Sequence, residues 1–322
     1  RDIDTTVAHV AASRGAGSDG ALVGEPVVVV VATPPDHLGD EIARALRDHP
    51  GAVVTDVGSV KSKPLARLEE LGVETRRYVG GHPMAGSERS GPLASAPDLF
   101  DGRTWAVVDR PDGDETAVRL VDRLARTCGA VVVHMSTTDH DRAVARVSHL
   151  PHIIAALTAG RLVEAPAEHL ALSGQGLRDV TRVASSDPGL WRQIVSANAA
   201  AVGVLLHQLR AEIDSLIDSL EAGDDSGVER VLKAGVAGTS AIPGKHGGPS
   251  LALVTVSVTV PDEPGALARL FLDAADADVN IEDLRIDHDP ARAFGLVEID
   301  VAEDRADWLA ASLRARHWTA HR

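Results

Sequence analysis

Val27-Val28-Val29-Val30-Val31-Ala32-Thr33-Pro34-Pro35 is the segment on which the fold turns. A continuous apolar run with no polar alternation predicts a central parallel strand buried on both faces. Thr33-Pro34-Pro35 ends it, because proline offers no N–H to a ladder, and a helix is expected over residues 36–47. The pattern then repeats: a strand over 52–56, a Gly58-Ser59 turn, a helix over 61–71, and short strands over 78–80 and 104–108. A helix over 114–127, with Leu120, Val121 and Leu124 on one face, leads to a strand over 130–134. Such alternation predicts a Rossmann-like, doubly wound α/β domain with a parallel sheet, over residues 1–136.

Upstream, Arg1-Asp2-Ile3-Asp4 reads as the tail of a strand, followed by a helix over 5–13. Nothing precedes it to start that strand. An upstream segment with the first strand and its Gly-rich loop is therefore expected to be missing, and residues 1–322 alone are expected to turn over weakly or not at all. Gly15-Ala16-Gly17-Ser18-Asp19-Gly20 matches G-x-G-x-x-G. It follows a helix and leads into a strand, the reverse of a phosphate cradle, and reads as a surface turn. Asp2 falls where an acid ending the second strand would bond a ribose 2′-hydroxyl; a solvated terminal acid is the equal alternative.

From Thr137 the strands stop. Residues 139–159 read as a helix kinked by Pro151, and 177–185 as a shorter one. Pro188 opens a long helix whose apolar stripe runs Trp191, Ile194, Val195, Val202, Leu205, Leu209, Ile213, Leu216, Leu220. At 1.5 Å per residue it would extend on the order of 50 Å, more than one small domain covers, so a second copy is expected to pack on it as a homodimer. These residues form an all-helical domain over 137–241. Ile242–Ser250, with two Pro, three Gly and a Ser, is a linker. Residues 251–322 then read βαββα plus a short last segment, a ferredoxin-like module with strands over 251–260, 279–287 and 294–301.

The chain has 322 residues, 44% hydrophobic and 25% charged, as in a soluble globular protein. Its longest apolar run is far too short to cross a bilayer. A net charge of −15 provides no footprint for nucleic acid, and the last module is itself acidic. The single cysteine, Cys128, excludes an internal disulfide and a Cys-based zinc site. With no signal peptide visible, the cytoplasm is the expected compartment.

Gly80-Gly81-His82-Pro83-Met84-Ala85-Gly86-Ser87-Glu88 is the sharpest chemical feature. A histidine between Gly and Pro sits on a rigid loop at a strand's C-terminal end, where open α/β sheets place ligands. A neutral imidazole there can take a proton from a hydroxyl as hydride leaves the same carbon. Ser59, at another strand end, can bond that imidazole or the substrate, or else cap the helix near Lys61. Thr33 and Pro34, together with Ser59, are candidate cofactor contacts. His149 and His152 have metal-ligand spacing but no third ligand, so a polar wall facing a substrate is the better reading, with no metal. Arg178 and Arg182, four apart, place two guanidiniums on one helical face, suited to a dicarboxylate or simply solvated.

Taken together, Asp56-Val57-Gly58-Ser59-Val60-Lys61, the Gly80–Glu88 loop, Ser148-His149-Leu150-Pro151-His152 and Asp179–Pro188 resemble the prephenate dehydrogenase family, which includes the similar arogenate dehydrogenases. Asp262-Glu263-Pro264-Gly265-Ala266-Leu267 looks like the start of an ACT regulatory domain. The resemblance implies NAD-dependent oxidative decarboxylation of prephenate to 4-hydroxyphenylpyruvate in tyrosine biosynthesis. It implies that His82 is the catalytic histidine, that Ser59 positions it, and that Arg182 binds a substrate carboxylate. His152, Ser87, Glu88, Arg178 and Trp191 match positions lining the pocket. Gly265 and Asn280 match turn and strand positions where an effector such as tyrosine would bind, and the family's dimers agree with the long helix. Arogenate dehydrogenase is the rival within the family. A non-catalytic amino-acid sensor is the rival of another class, and the retention of His82, Ser59 and Arg182 argues against it.

Overall fold

In the computed structural model, which describes residues 2–86, 91–243, 252–288 and 294–322, the chain enters through helix α1 (Thr5–Ser13). No strand tail precedes it. Residues 2–4 are irregular, because the Asp4 carboxylate accepts from the Thr6 N–H at 2.8 Å and caps the helix. The G-x-G-x-x-G segment is an exposed turn, as expected.

The valine run forms strand β1 (Val28–Val31), followed by α2 (Pro35–Asp48), β2 (Val53–Asp56), α3 (Ser62–Glu70), β3 (Tyr78–Pro83), β4 (Thr104–Val108), α4 (Glu115–Thr127) and β5 (Val131–Met135). Strand order is β1-β2-β3-β4-β5. β1, β2 and β3 are parallel, as are β4 and β5, but β4 runs antiparallel to β3. The fully parallel sheet expected from the alternation is thus mixed. A parallel return needs a crossover helix, and the described residues between β3 and β4 form only a short 3₁₀ turn, Pro92–Ala94.

Helices cover both faces. Leu38, Ile42 and Leu46 recur every fourth residue on α2 and pack with Val54, Leu68 and Tyr78. On the other side Ala117, Val121 and Ala125 of α4 pack on Val79, Trp105 and Val107. Adjacent strand residues divide between the layers: Val54 and Tyr78 join the α2 cluster while Val53 and Val79 join the α4 cluster.

Among the described residues β1 lies at an edge of the sheet and not at the expected centre, and Val27 and Val30 are 71% and 47% exposed. The α4 cluster reaches Val53 and Val57 but not Val28 or Val30. An unbroken apolar run is compatible with burial on both faces without specifying which neighbours supply it.

The helical part comprises α5 (Thr137–Val144), a π-type turn (Ala145–His149), α6 (Leu150–Gly160), α7 (Ala167–Leu170), α8 (Gln175–Thr181), a 3₁₀ turn (Arg182–Ser185), α9 (Pro188–Ala197), α10 (Ala199–Ala222) and α11 (Asp225–Ser240). The kink expected at Pro151 takes the form of the π-type turn just ahead of it, where the missing proline N–H loosens the ladder. The single long helix is overturned: α9 and α10 meet at 92° around Asn198. No single helix among the described residues is long and apolar enough to cross a membrane.

The chain divides into two compact units, Arg1–Asp218 and Ser219–Arg322. The second contains α11, within the stretch expected to be helical, and β6 (Leu253–Pro261), α12 (Ala266–Asp276), β7 (Asp283–His288), β8 (Phe294–Ala302), α13 (Glu303–Ala315) and β9 (Thr319–His321). Its sheet is antiparallel in the order β7-β8-β6-β9. Val256, Val258 and Val260 alternate inward against Leu270, Ala274, Leu309 and Leu313 of α12 and α13. β7 starts at Asp283, so Asn280 lies in the loop ahead of it and not on the strand.

Candidate active site

Buried at the end of β2, Asp56 is fully withdrawn from solvent. Its Oδ1 accepts from the Tyr78 hydroxyl at 2.9 Å and from the Gly81 N–H at 3.3 Å. Oδ2 accepts from the Gly58 N–H at 2.9 Å and from Lys61 Nζ. Lys61, 2% exposed, also donates to the Gly81 carbonyl at 2.6 Å. Burial lowers the Lys61 pKa, and Asp56 offsets part of that effect. The β2–α3 loop and the His82 strand are thereby fastened to one carboxylate. Gly81 must lack a side chain, because a Cβ there would stand 2.7 Å from the Asp56 carbonyl oxygen.

His82, 8% exposed on β3, places Nδ1 2.9 Å from Nε2 of His140 on α5. His140 is fully buried, and its Nδ1 lies 2.8 Å from Asp141 Oδ1. Asp141 also accepts from the Lys61 and Ser62 N–H groups, at 2.9 and 2.8 Å. It thereby satisfies the N-terminus of α3, which has no cap from its own segment. Burial pushes the Asp141 pKa up, but the hydrogen bonds from His140, Ser62 and Lys61 outweigh it and hold the group below its usual value. Burial first, then the Lys61 ammonium and the neighbouring His140 and His149, keeps His82 well below 6.5. His82 is therefore neutral near pH 7.

The network continues through the elbow between α9 and α10. Asn198 Nδ2 donates to the Asp141 carbonyl at 2.7 Å and to His149 Nδ1 at 3.2 Å. His149, whose pKa burial lowers to about 4, meets Trp191 edge-on with ring centroids 6.2 Å apart. Trp191 stacks on His152 at 3.4 Å and 7°. Three widely spaced sequence features, His82, His152 and Trp191, thus belong to one connected cluster. Midway along α9, Gln193 Oε1 accepts from the Asp36 N–H at 3.2 Å, which sets the Trp191 helix beside the start of α2. In that loop Thr33 Oγ1 is buried with no hydrogen-bond partner, and Pro34 leads into α2.

Other expected site residues stand apart. Ser59 is half-buried in the β2–α3 loop, but it neither caps α3 nor bonds His82 Nδ1, whose partner is His140. Arg178 and Arg182 do not share one helix: α8 ends at Thr181, and Arg182 opens the 3₁₀ turn. Both are exposed, on elements that pack against the His152 helix α6. Asp2 is exposed, belongs to no strand, and accepts from the Asp4 N–H at 2.9 Å. Ser87 and Glu88 lie outside the described residues. Gly265 and Asn280 belong to the second unit, with Gly265 at φ +88° and Asn280 donating to Glu282 Oε1 at 2.5 Å.

Lys61, His140, Asp141 and Asn198 carry no role readable from the sequence, whereas His149, expected beside His152 on a polar wall, is held here by Asn198. The adjacent His140-Asp141 pair at the start of a helix was the one available signal, and it needed the fold to bring it to His82.

Residues 1–134 match the family model described as prephenate dehydrogenase, nucleotide-binding domain, and residues 136–234 the one described as prephenate dehydrogenase, dimerization domain. A probable prephenate dehydrogenase, NovF, of Streptomyces niveus is 34% identical over 99% of this chain and 91% of its own. A prephenate dehydrogenase of Bacillus subtilis is 29% identical over 88% and 77%. The crystal structure of prephenate dehydrogenase from A. aeolicus in complex with hydroxyphenyl propionate and NAD+ superposes with a TM-score of 0.66 at 29% identity, over 75% of this chain and 87% of that one.

The buried Asp56–Lys61 pair gives a direct test of how the site is held. Removing one partner of such a pair leaves the other charge uncompensated and costs about 3–5 kcal/mol. Lys61→Met is expected to lower stability by that amount in urea unfolding at pH 7. A loss under about 1 kcal/mol would show that the pair is not what holds the loops.

Proposed function

The chain belongs to the prephenate dehydrogenase family, and from that premise we propose that it converts prephenate to 4-hydroxyphenylpyruvate and CO₂ with reduction of NAD+, His82 acting as the base. Bound NAD+ supplies the acceptor for the hydride that leaves the ring C4 carbinol. The residues fit that cofactor: Thr33 has a buried hydroxyl without a partner among the described residues, Pro34 follows it after β1 and Ser59 lies in the loop after the neighbouring strand β2, and ligands of open α/β sheets gather at the C-terminal ends of the strands. Asp2 takes no part in this reading, since the strand that would aim it is not there.

Neutral His82 draws the proton from the C4 hydroxyl as C4 becomes a carbonyl carbon. The ring carboxylate then leaves as CO₂, its bonding pair enters the ring, and the resulting phenolate oxygen takes back the proton held on His82 to become a phenol. Arg182 and Arg178 supply cations for the substrate carboxylates, with no ion pair among the described residues to compete for them. His152 stacked on Trp191 forms a polar-edged wall for the ring, and Ser59 is a hydroxyl within the same loop system. The observation that carries the reading is a buried histidine held neutral by its surroundings at a strand end of the nucleotide-binding domain.

His82→Asn is expected to abolish NADH formation from prephenate while leaving substrate binding nearly intact. Arg182→Gln should instead raise KM about ten- to hundredfold, the equivalent of a lost charged hydrogen bond of about 1.5–3 kcal/mol. Retained turnover in His82→Asn would remove the histidine from the mechanism. Side-by-side assays with prephenate and arogenate decide the substrate.

Protonated His82 cannot accept a proton, so the rate must fall in acid. Because burial, Lys61, His140 and His149 lower its pKa against the opposing pull of Asp141, kcat/KM is expected to stay flat from pH 7 to below 6.5 before declining. A decline centred above 6.5 would contradict the assignment.

The antiparallel β7-β8-β6-β9 order with α12 and α13 on one face supports reading the second unit as a ferredoxin-like ACT module. The left-handed Gly265 turn and Asn280 then mark where an amino acid such as tyrosine binds. Added tyrosine should lower the rate and raise the melting temperature; if both stay unchanged, the module is not a tyrosine sensor.

A further inference from the structure

We propose that Asp141 and His140 form a positioning relay that fixes the tautomer of His82, leaving Nε2 as its basic nitrogen. The use of that nitrogen in catalysis rests on the reading of His82 as the base; the tautomer does not.

The argument follows from counting protons. Asp141 receives two backbone N–H donors, from Lys61 and Ser62, with His140 Nδ1 in hydrogen-bond contact beside them, which is the environment of an ionised carboxylate. An ionised carboxylate only accepts, so the contact at 2.8 Å requires a hydrogen on His140 Nδ1. The relay has His140 carry that one N–H, which leaves its Nε2 bare. The contact at 2.9 Å between His140 Nε2 and His82 Nδ1 in turn requires the hydrogen to be on His82 Nδ1. His82, neutral in its turn, keeps its lone pair on Nε2.

Reversing the order would put the bare Nδ1 of His140 against the carboxylate, lone pair to lone pair. It would also place a hydrogen on His82 Nε2, the state that cannot accept one. The rings are held as well as the protons: His140 is fully buried, and its centroid lies 5.1 Å from that of His82 at 60°. Asp141 is pinned by the start of α3 on one side and by Asn198 on its carbonyl. His140 touches neither substrate nor cofactor in this scheme and acts only through His82.

The test is the long-range ¹H–¹⁵N spectrum of the full chain labelled with ¹⁵N-histidine at pH 7, with the His82 and His140 signals assigned by their loss in His82→Asn and His140→Leu. Both residues are expected to show a protonated Nδ1 and an unprotonated Nε2. A protonated Nε2 on His82 overturns the relay, whether it arises from the reversed order or from a second proton on His140. In kinetics, His140→Leu should lower kcat about a hundredfold, the scale of a misplaced catalytic group, with KM changed less than about threefold. His140→Gln, whose Oε1 can still accept from His82 Nδ1, should recover part of that loss. Equal kcat in wild type and His140→Leu would also overturn the relay. The correct tautomers without NADH formation from prephenate would leave the relay standing and remove the functional reading instead.

Discussion

Both carboxylate oxygens of Asp56 are occupied, and the four donors come from two parts of the chain: the Gly58 amide and the Lys61 ammonium beyond β2, and the Tyr78 hydroxyl and Gly81 amide on β3. A charge withdrawn from water is tolerable only with this degree of satisfaction. The arrangement therefore constrains everything around it. Lys61 cannot leave without exposing a buried anion, Gly81 cannot acquire a side chain, and His82, one residue on, has its backbone position settled before any ligand arrives. Preorganisation of this kind lets a base act without rearranging.

The same cluster sets the electrostatic character of the site. Lys61 and the two neighbouring histidines crowd His82 with positive or potentially positive groups, and burial works in the same direction. A base in such surroundings is weak as a proton store but remains uncharged through the neutral range, which is what removal of a hydroxyl proton requires. Asp141 supplies the compensating negative charge one imidazole further away.

Much of this architecture was legible in the linear chain. The alternation of strands and helices, the paired glycines before His82, and the βαββα order of the second unit are local patterns, and local patterns survive translation into structure. What escaped depended on neighbours. The valine run says how apolar β1 is, not that β2 alone would flank it. The stripe from Trp191 to Leu220 keeps helical spacing across Asn198, so periodicity could not reveal the turn there. Residues 225–240 carry five glycines or alanines of weak pattern around Val228, Leu232 and Val236, and the helix they form has no strong local signal. His140 is ordinary among fourteen histidines until the fold places it against His82, and the spacing that marks His149 does not disclose its contact with Asn198. Arg182 was assigned to one face with Arg178 because spacing alone does not disclose where an α-helix tightens into a 3₁₀ turn.

Asn198 stands at the corner where the chain changes direction by 92°, and the amide that occupies the corner also grips the Asp141 carbonyl and His149. A lever that is bolted to the machinery at its pivot transmits torque in both directions. Any load on α10, a helix with Val204, Ile213, Ile217 and Leu220 open to its surroundings, is felt first at that bolt, and thus at the imidazoles behind it. Helix α10 and the imidazole cluster share a mechanical joint.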